Sequence, residues 1–312
     1  MGNNERASSK VRESPFWPRF STLLQKYGLP WSRKRVGNVD YTKEGSGDAT
    51  SVIFGITRFS VITELGFKNF KATQGKDLAA VQKIIHDEDR LNARFRYFEK
   101  HLLASLDAQT DKNFSHWLIA SSVMPDKFKE RLESLVSDRS YLNIFYMKPS
   151  ESMGPVFRQI CARAIPATAK IAVSYRIDDD DGLAIDYIKR LRDVARHEFL
   201  GMYYSCGRGF YVSEDPRLSI LPARLPNSSA GLAFISSATK TKTVYETNVS
   251  HLLVDRKLPC ILNSQRPGWI MAAHGHTDTK HRSRMDFAQG GLPKEDDEIR
   301  AFFPWLLDNN PD

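Results

Sequence analysis

No stretch of this chain approaches the roughly 20 consecutive apolar residues that a bilayer-spanning helix needs, and no signal-type apolar core follows the N-terminus. The chain therefore reads as cytoplasmic. Cysteine is scarce: Cys161, Cys206 and Cys260 are odd in number, far apart and without metal-type spacing. A disulfide framework is excluded on that count, and the three read as reduced, mostly structural thiols. There is no internal repeat and no recognisable nucleic-acid module. What is present is positive charge, a formal net +8, which favours anionic partners: nucleotide phosphates, an anionic membrane surface or nucleic acid. The missing module leaves nucleic acid without support. With 312 residues and 41% hydrophobic content, the chain can bury a full core as one large α/β domain or two packed halves.

One stretch organises the rest. Ile171-Ala-Val-Ser-Tyr-Arg-Ile177 is an apolar, β-branched run that stops at four consecutive acids, Asp178 to Asp181, and then Gly182. It reads as a buried strand whose carboxyl end delivers acids to a crevice, where open α/β sheets bind ligands. Four adjacent like charges call for a cation, and a hard divalent ion bridging carboxylates and phosphate oxygens suits them. A solvated acidic turn is the plainer reading. The segment after the acids, Leu183 to Leu191, has helical spacing, so Asp181 is placed to cap a helix there.

Residues 1–47 are polar and basic, with Pro15, Pro18, Pro30 and a hinge at Gly45-Ser-Gly47. Within them Phe16, Trp17, Phe20, Tyr27 and Trp31 mix with Arg19, Lys26 and Arg33-Lys-Arg35. That mixture suits peripheral contact with an anionic membrane, a partner groove, or an arm packed on its own domain. From residue 48 the pattern changes. Strands are expected at 51–57, 114–120 and 142–146, helices at 87–108, 125–136 and 155–165, and the acid-bearing strand comes fourth. That alternation predicts a parallel, doubly wound sheet.

The strings Ile56-Thr-Arg-Phe59, Arg96-Tyr-Phe-Glu99 with Ser105-Leu-Asp-Ala-Gln109, Asn113-Phe-Ser-His-Trp-Leu118 and Tyr175-Arg-Ile-Asp-Asp-Asp-Asp181 occur in this order. Together they resemble the bacterial rhamnosyltransferase family over about residues 50 to 290. The resemblance implies an inverting glycosyltransferase of the α/β GT-A class, with a central, mostly parallel mixed sheet flanked by helices. It divides residues 48–312 into a nucleotide-sugar-binding half, 48–190, and an acceptor-binding half, 191–312. It also implies a divalent cofactor, Mn2+ or Mg2+, a dTDP-, UDP- or GDP-linked donor, and a glycan or lipid-linked acceptor.

Carried onto these positions, the resemblance gives Asp178 to the donor ribose and Asp180 to the metal. Asp181 joins the metal shell, through a bound water, and Asp179 turns inward. A register shifted to Asp179 and Asp181 stays open, because every position is Asp. Thr57 and Arg58, at the end of the first strand, are placed for the donor nucleotide. Arg176 alternates with Asp178 and either shares the crevice or sets the loop through a salt bridge. The usual base-reading acid after the second strand is missing, since Ser121-Ser-Val-Met-Pro125 stands there.

Inversion requires a carboxylate to take the acceptor's proton. Glu246, expected after the last core strand, is the first candidate, with Asp255 and Asp215 in reserve; His251 orients the acceptor or packs. Trp269-Ile-Met-Ala-Ala-His274-Gly-His276-Thr-Asp278-Thr279 comes within one residue of the H-x-H-x-D-H string of metallo-β-lactamase-like hydrolases. A hydrolase of that type is the second function to weigh. Thr279 stands where it needs His, and too few residues follow for its later strands. The GT-A resemblance, in which a late His completes the metal shell or contacts the diphosphate, implies instead that His274, with His276 second, joins the same ion as Asp180. A third possibility is a GT-A protein that binds nucleotide without turnover. A lid between His281 and Pro293, with Lys280, Arg282 and Arg284 over the phosphates, is expected before a terminal helix and apolar strap.

Overall fold

The computed structural model describes residues 50–63, 75–213, 220–246, 249–274 and 295–307, all within the compact unit Gly45–Asp312. The basic extension, the lid segment, Asp215 and His276 lie outside the described residues.

Strand β1 (Ser51–Phe59) is buried along nearly its whole length, as a central parallel strand must be when helices cover both faces. Its alternation sorts side chains between two layers. Phe54 and Ile56 join Trp117, Ile119, Phe145 and Met147 from β2 (Ser115–Ser121) and β3 (Leu142–Met147). That face is covered by Val156, Phe157 and Ile160 of a helix over Met153–Ala164. On the other face Phe59 meets Phe95 and Phe98 edge-on, at 4.9 and 5.3 Å. Each such ring, fully buried, contributes about 1.5–3 kcal/mol.

Among the described residues, α1 (Leu78–Ile85) and α2 (Glu88–Tyr97) are the first helices after β1. Asp77 and Asp87 cap them by accepting hydrogen bonds from the amides of Ala80 and Arg90. The single helix expected over 87–108 is α2, a wider π-helical segment at Phe98–Leu103, and a last turn, α3 (Ala104–Asp107). The next helices are α4 (Asp126–Ser137) and α5 (Met153–Ala164), and β4 (Ile171–Arg176) ends just before the acids.

The main sheet runs β10-β6-β9-β4-β1-β2-β3, where β6 is Tyr203–Cys206, β9 is Leu232–Ser237 and β10 is Cys260–Asn263. It is mostly parallel but mixed, because β9 runs antiparallel to both β4 and β6. The purely parallel sheet predicted from the alternation alone is corrected on this point. β9 returns directly from the loop before it and never makes the helical crossover that a parallel pair requires.

A second correction falls at the acids. Helix starts neither at Leu183 nor under an Asp181 cap. Gly182–Leu183 forms β5, paired antiparallel with Trp269 and Ile270 of β11 (Trp269–Ala273), and α6 begins at Tyr187 (Tyr187–Val194). Local periodicity gave way to a strand pairing from far along the chain. β5 and β11 belong to a second sheet, β5-β11-β7-β8, with β7 at Arg208–Ser213 and β8 at Ile220–Arg224. A short helix, α7 (Val254–Lys257), precedes β10. The terminal strap is α8 (Glu295–Phe302) with Phe303, Trp305 and Leu306, packed on Ala184, Phe210 and Ile270. Gly182 admits the edge of the Trp305 ring; a Cβ there would fall 2.7 Å from it.

Candidate active site

β1 and β4 are adjacent and parallel while β2 leaves β1 on its other side, so the sheet reverses direction of winding between them. Ligands of open α/β sheets collect at the carboxyl ends flanking such a point. Here those ends carry Thr57 and Arg58 on one strand and Arg176 to Asp181 on the other.

The four acids are held in four ways. Asp178 is the most exposed, at 38%, and lies 3.4 Å from Arg176. Asp179 turns inward, is only 3% exposed, and pairs with Arg94 of α2. Burial raises its carboxyl toward about 6, against the pull of Arg94 and with a push from its neighbours' charges. Asp180 accepts a hydrogen bond from His274 Nε2 at 3.0 Å. Burial works to raise its carboxyl, but that bond and the Arg94 charge hold it below the ordinary range. Asp181 is buried and accepts from the Ala272 amide at 3.2 Å. Burial, and next the charges of Asp180 and Asp178, push it well above the ordinary range.

Past the end of β4 the run folds into a tight turn, closed by the Asp181 amide donating to the Asp178 carbonyl at 3.2 Å, and this buries Asp179 and Asp181 while Asp178 and Asp180 stay partly exposed. Asp179 was expected to turn inward; that the partner waiting there is Arg94 was not. Among the described residues no cluster of three or more His, Cys, Asp or Glu is arranged as a metal cage. A cage is not required, since Mg2+ and Mn2+ at phosphate sites take one or two side chains plus phosphate oxygens and water. Asp180 with His274 fits that pattern, and Asp181 sits behind them, accepting from the Ala272 amide.

The cationic side of the crevice is built on Tyr245. Its ring stacks on Phe157 at 5.1 Å and its hydroxyl donates to the Ile56 carbonyl at 3.2 Å. The Arg58 and Arg176 guanidinium groups both lie over this ring, at 5.5 and 4.9 Å. His251 is half-buried and its imidazole is lowered by burial and by Arg176, with Asp178 opposing, so it stands near the acid run. Ser60, just past β1, is in the left-handed region at φ 45, the kind of non-glycine outlier that gathers at ligand sites.

Beneath the crevice a neutral polar chain crosses the sheet. Thr57 Oγ1 donates to the Ile177 carbonyl at 2.8 Å, so its remaining contact, His116 Nε2 at 3.0 Å, must be the donor to it. His116 Nδ1 then accepts from the Tyr175 hydroxyl at 3.0 Å. Burial alone lowers this imidazole to about 3 and keeps it neutral. Gly55 is required there, because a Cβ would collide with the His116 and Tyr175 rings.

The two candidate bases are each held by one hydrogen bond. Glu246 is exposed and accepts from the Thr243 amide of its own turn at 2.6 Å. It does not follow the last core strand: β10 comes after it in the same sheet. Asp255, on α7, is exposed and accepts from the Asn227 side chain. Arg94 was not singled out from the sequence, and Tyr97 only as part of the string Arg96-Tyr-Phe-Glu99, with no role at the acids.

Fold and site together define an α/β protein with an acid run at the switch point of a mostly parallel mixed sheet flanked by helices. The chain belongs to the glycosyltransferase family described as "Putative rhamnosyl transferase", whose family model matches residues 52–285. That membership sets aside the metallo-β-lactamase type. No curated protein matches the sequence. Among solved structures, TarS 1–349 of S. aureus in complex with UDP aligns at a TM-score of 0.39 and 10% identity, covering 71% of this chain and 60% of that one. The chain spans less than two thirds of the TarS structures. The mannosyltransferase PcManGT from Pyrobaculum calidifontis, in complex with GDP-Man and Mn2+, aligns at 0.38 and 12% identity, covering 83% and 65%.

Proposed function

We propose that this protein transfers a sugar, rhamnose by its family, from a nucleoside-diphosphate donor to a glycan or lipid-linked acceptor, with inversion and with a divalent ion. The observation that carries this reading is the meeting, at the ends of β1 and β4, of two guanidinium groups over one tyrosine with an acid run that ends at His274. A nucleoside diphosphate offers what each side lacks. Arg58 and Arg176 would take its phosphate oxygens. Thr57 would set the backbone beneath them, and Asp178, the exposed acid, would accept from the ribose hydroxyls. Asp180 and His274 would hold the ion, with Asp181 behind them and His276 added from the segment beyond β11. When bound, the ion supplies positive charge to the diphosphate as it leaves.

The acceptor's proton must go to a base. Asp255 and Glu246 are both exposed carboxylates, each held by a single hydrogen bond, and both remain candidates for this role. His251 stands nearer the acids and would orient the acceptor. The basic, aromatic extension would bring the enzyme to an anionic membrane surface where lipid-linked acceptors lie.

Calorimetric titration with UDP, GDP and dTDP, with and without Mn2+, tests the reading. Metal-dependent binding of one nucleotide, lost in Asp180→Asn, is the expected result and names the donor class. Absence of metal-dependent nucleotide binding overturns it. Binding of nucleotide and metal with no transfer to any glycan or lipid-linked acceptor would instead favour a binding protein.

A further inference from the structure

Helix α2 lies before β2 in sequence and outside every segment expected to touch the metal, yet it reaches both the acid run and His274. Arg94 pairs with Asp179, and one turn later the Tyr97 ring lies face to face with the His274 ring, centroids 3.8 Å apart and planes 12° from parallel. His274 is buried, and its Nε2 points at Asp180. A stacked ring leaves an imidazole free to slide but not to rotate out of plane, so the direction of Nε2 depends on the surface beneath it.

That surface is itself fixed. Tyr97 is 5% exposed. His101, four residues further along the same helical surface, lies beside Tyr97 at 6.1 Å. His101 meets Trp305 of the terminal strap edge-on at 6.2 Å. A continuous row of rings thus runs from Trp305 through His101 and Tyr97 to His274 and ends on the Asp180 carboxylate.

We propose that Tyr97 is a positioning residue of the metal site: its ring holds His274 in the plane in which Nε2 and the Asp180 carboxylate converge, while Arg94 draws Asp179 inward so that Asp180 faces out. This deepens the metal reading given above and rests on it. The motif Arg96-Tyr-Phe-Glu99 thereby acquires a role through its tyrosine. Outer-shell partners of metal-bound imidazoles commonly set affinity without touching the ion.

Tyr97→Phe keeps the ring and Tyr97→Leu removes it. Each is compared with wild type in three measurements: Mn2+ affinity with and without UDP, GDP or dTDP, thermal unfolding, and the proton shifts of the His274 ring in the metal-free protein, assigned against His274→Asn. The expected result is wild-type Mn2+ affinity for Tyr97→Phe, about tenfold or greater weakening for Tyr97→Leu, and an upfield ring shift present in the first variant and lost in the second. Equal Mn2+ affinity in wild type and Tyr97→Leu, with both folded, overturns the proposal. If wild type binds no Mn2+ either with or without nucleotide, the metal reading fails, and the ring shift decides separately whether Tyr97 orients His274: unchanged in Tyr97→Leu, it overturns the proposal too. Should Tyr97→Leu not fold, Tyr97→Met, with a flexible side chain of similar length, is measured in its place.

Discussion

The acid run is gripped from two sides by opposite means. On the sheet side, Tyr175, His116 and Thr57 reach the Ile177 carbonyl through hydrogen bonds between neutral groups. On the helix side, Arg94 meets Asp179 as a full ion pair. The difference follows from what each side must do. Between two strands in a dry sheet a charge has nothing to compensate it, so a neutral chain that satisfies every member is the cheaper device. Beside four carboxylates the problem is reversed, and a guanidinium lowers the repulsion that would otherwise splay the loop.

The comparison can be broken in order of expected effect. Arg94→Met leaves Asp179 buried beside other acids and should cost about 3–5 kcal/mol in urea unfolding. Adding Asp179→Asn to it should return more than half of that loss, which a simple packing role for Arg94 would not allow. His116→Phe strands the Tyr175 hydroxyl and should cost about 2–4 kcal/mol in the same measurement. Its effect on pH dependence is sharper. Burial holds His116 at about 3 and His101 at about 4, against an ordinary 6.5. The unfolded chain therefore binds protons that the folded chain refuses, so stability is full above about pH 6.5 and drains as pH falls toward 3. Urea midpoints measured down that range should fall less steeply in His116→Phe than in wild type.

Gly55→Ala forces a methyl into the same chain and should cost about 1–3 kcal/mol by calorimetry, with the His116 and Tyr175 rings displaced. Thr57→Val, which keeps the shape and deletes the hydroxyl, should cost about 1–2 kcal/mol. If Thr57→Val proves as damaging as Arg94→Met, the neutral side carries as much as the charged one and the contrast fails.

Strands β1 to β4 were legible because parallel strands buried on both faces must be written as continuous apolar runs, and each lay within a residue or two of its expected place. β6, β8 and β10 were not, since four or five residues such as Tyr203-Tyr-Ser-Cys206 carry too little period to stand out. The helix expected from Leu183 failed for a related reason: two residues paired with β11 outweighed a favourable local pattern. At the site, the acids, Arg58, Arg176 and His274 could be named because each sits at a strand end. Arg94 and Tyr97 could not, because their importance lies in which loop their helix packs against, and no spacing within the helix records that.

Trp305 covers Gly182, the residue that ends the acid run. The two lie far apart in sequence, and ribosomes deliver the chain from the N-terminal end. During synthesis the central strands therefore exist well before the ring that closes over the acid loop. The order of manufacture makes the cover over this loop one of the last pieces to be added, after Arg94, Ala272 and His274, the partners of Asp179, Asp181 and Asp180, have already been made.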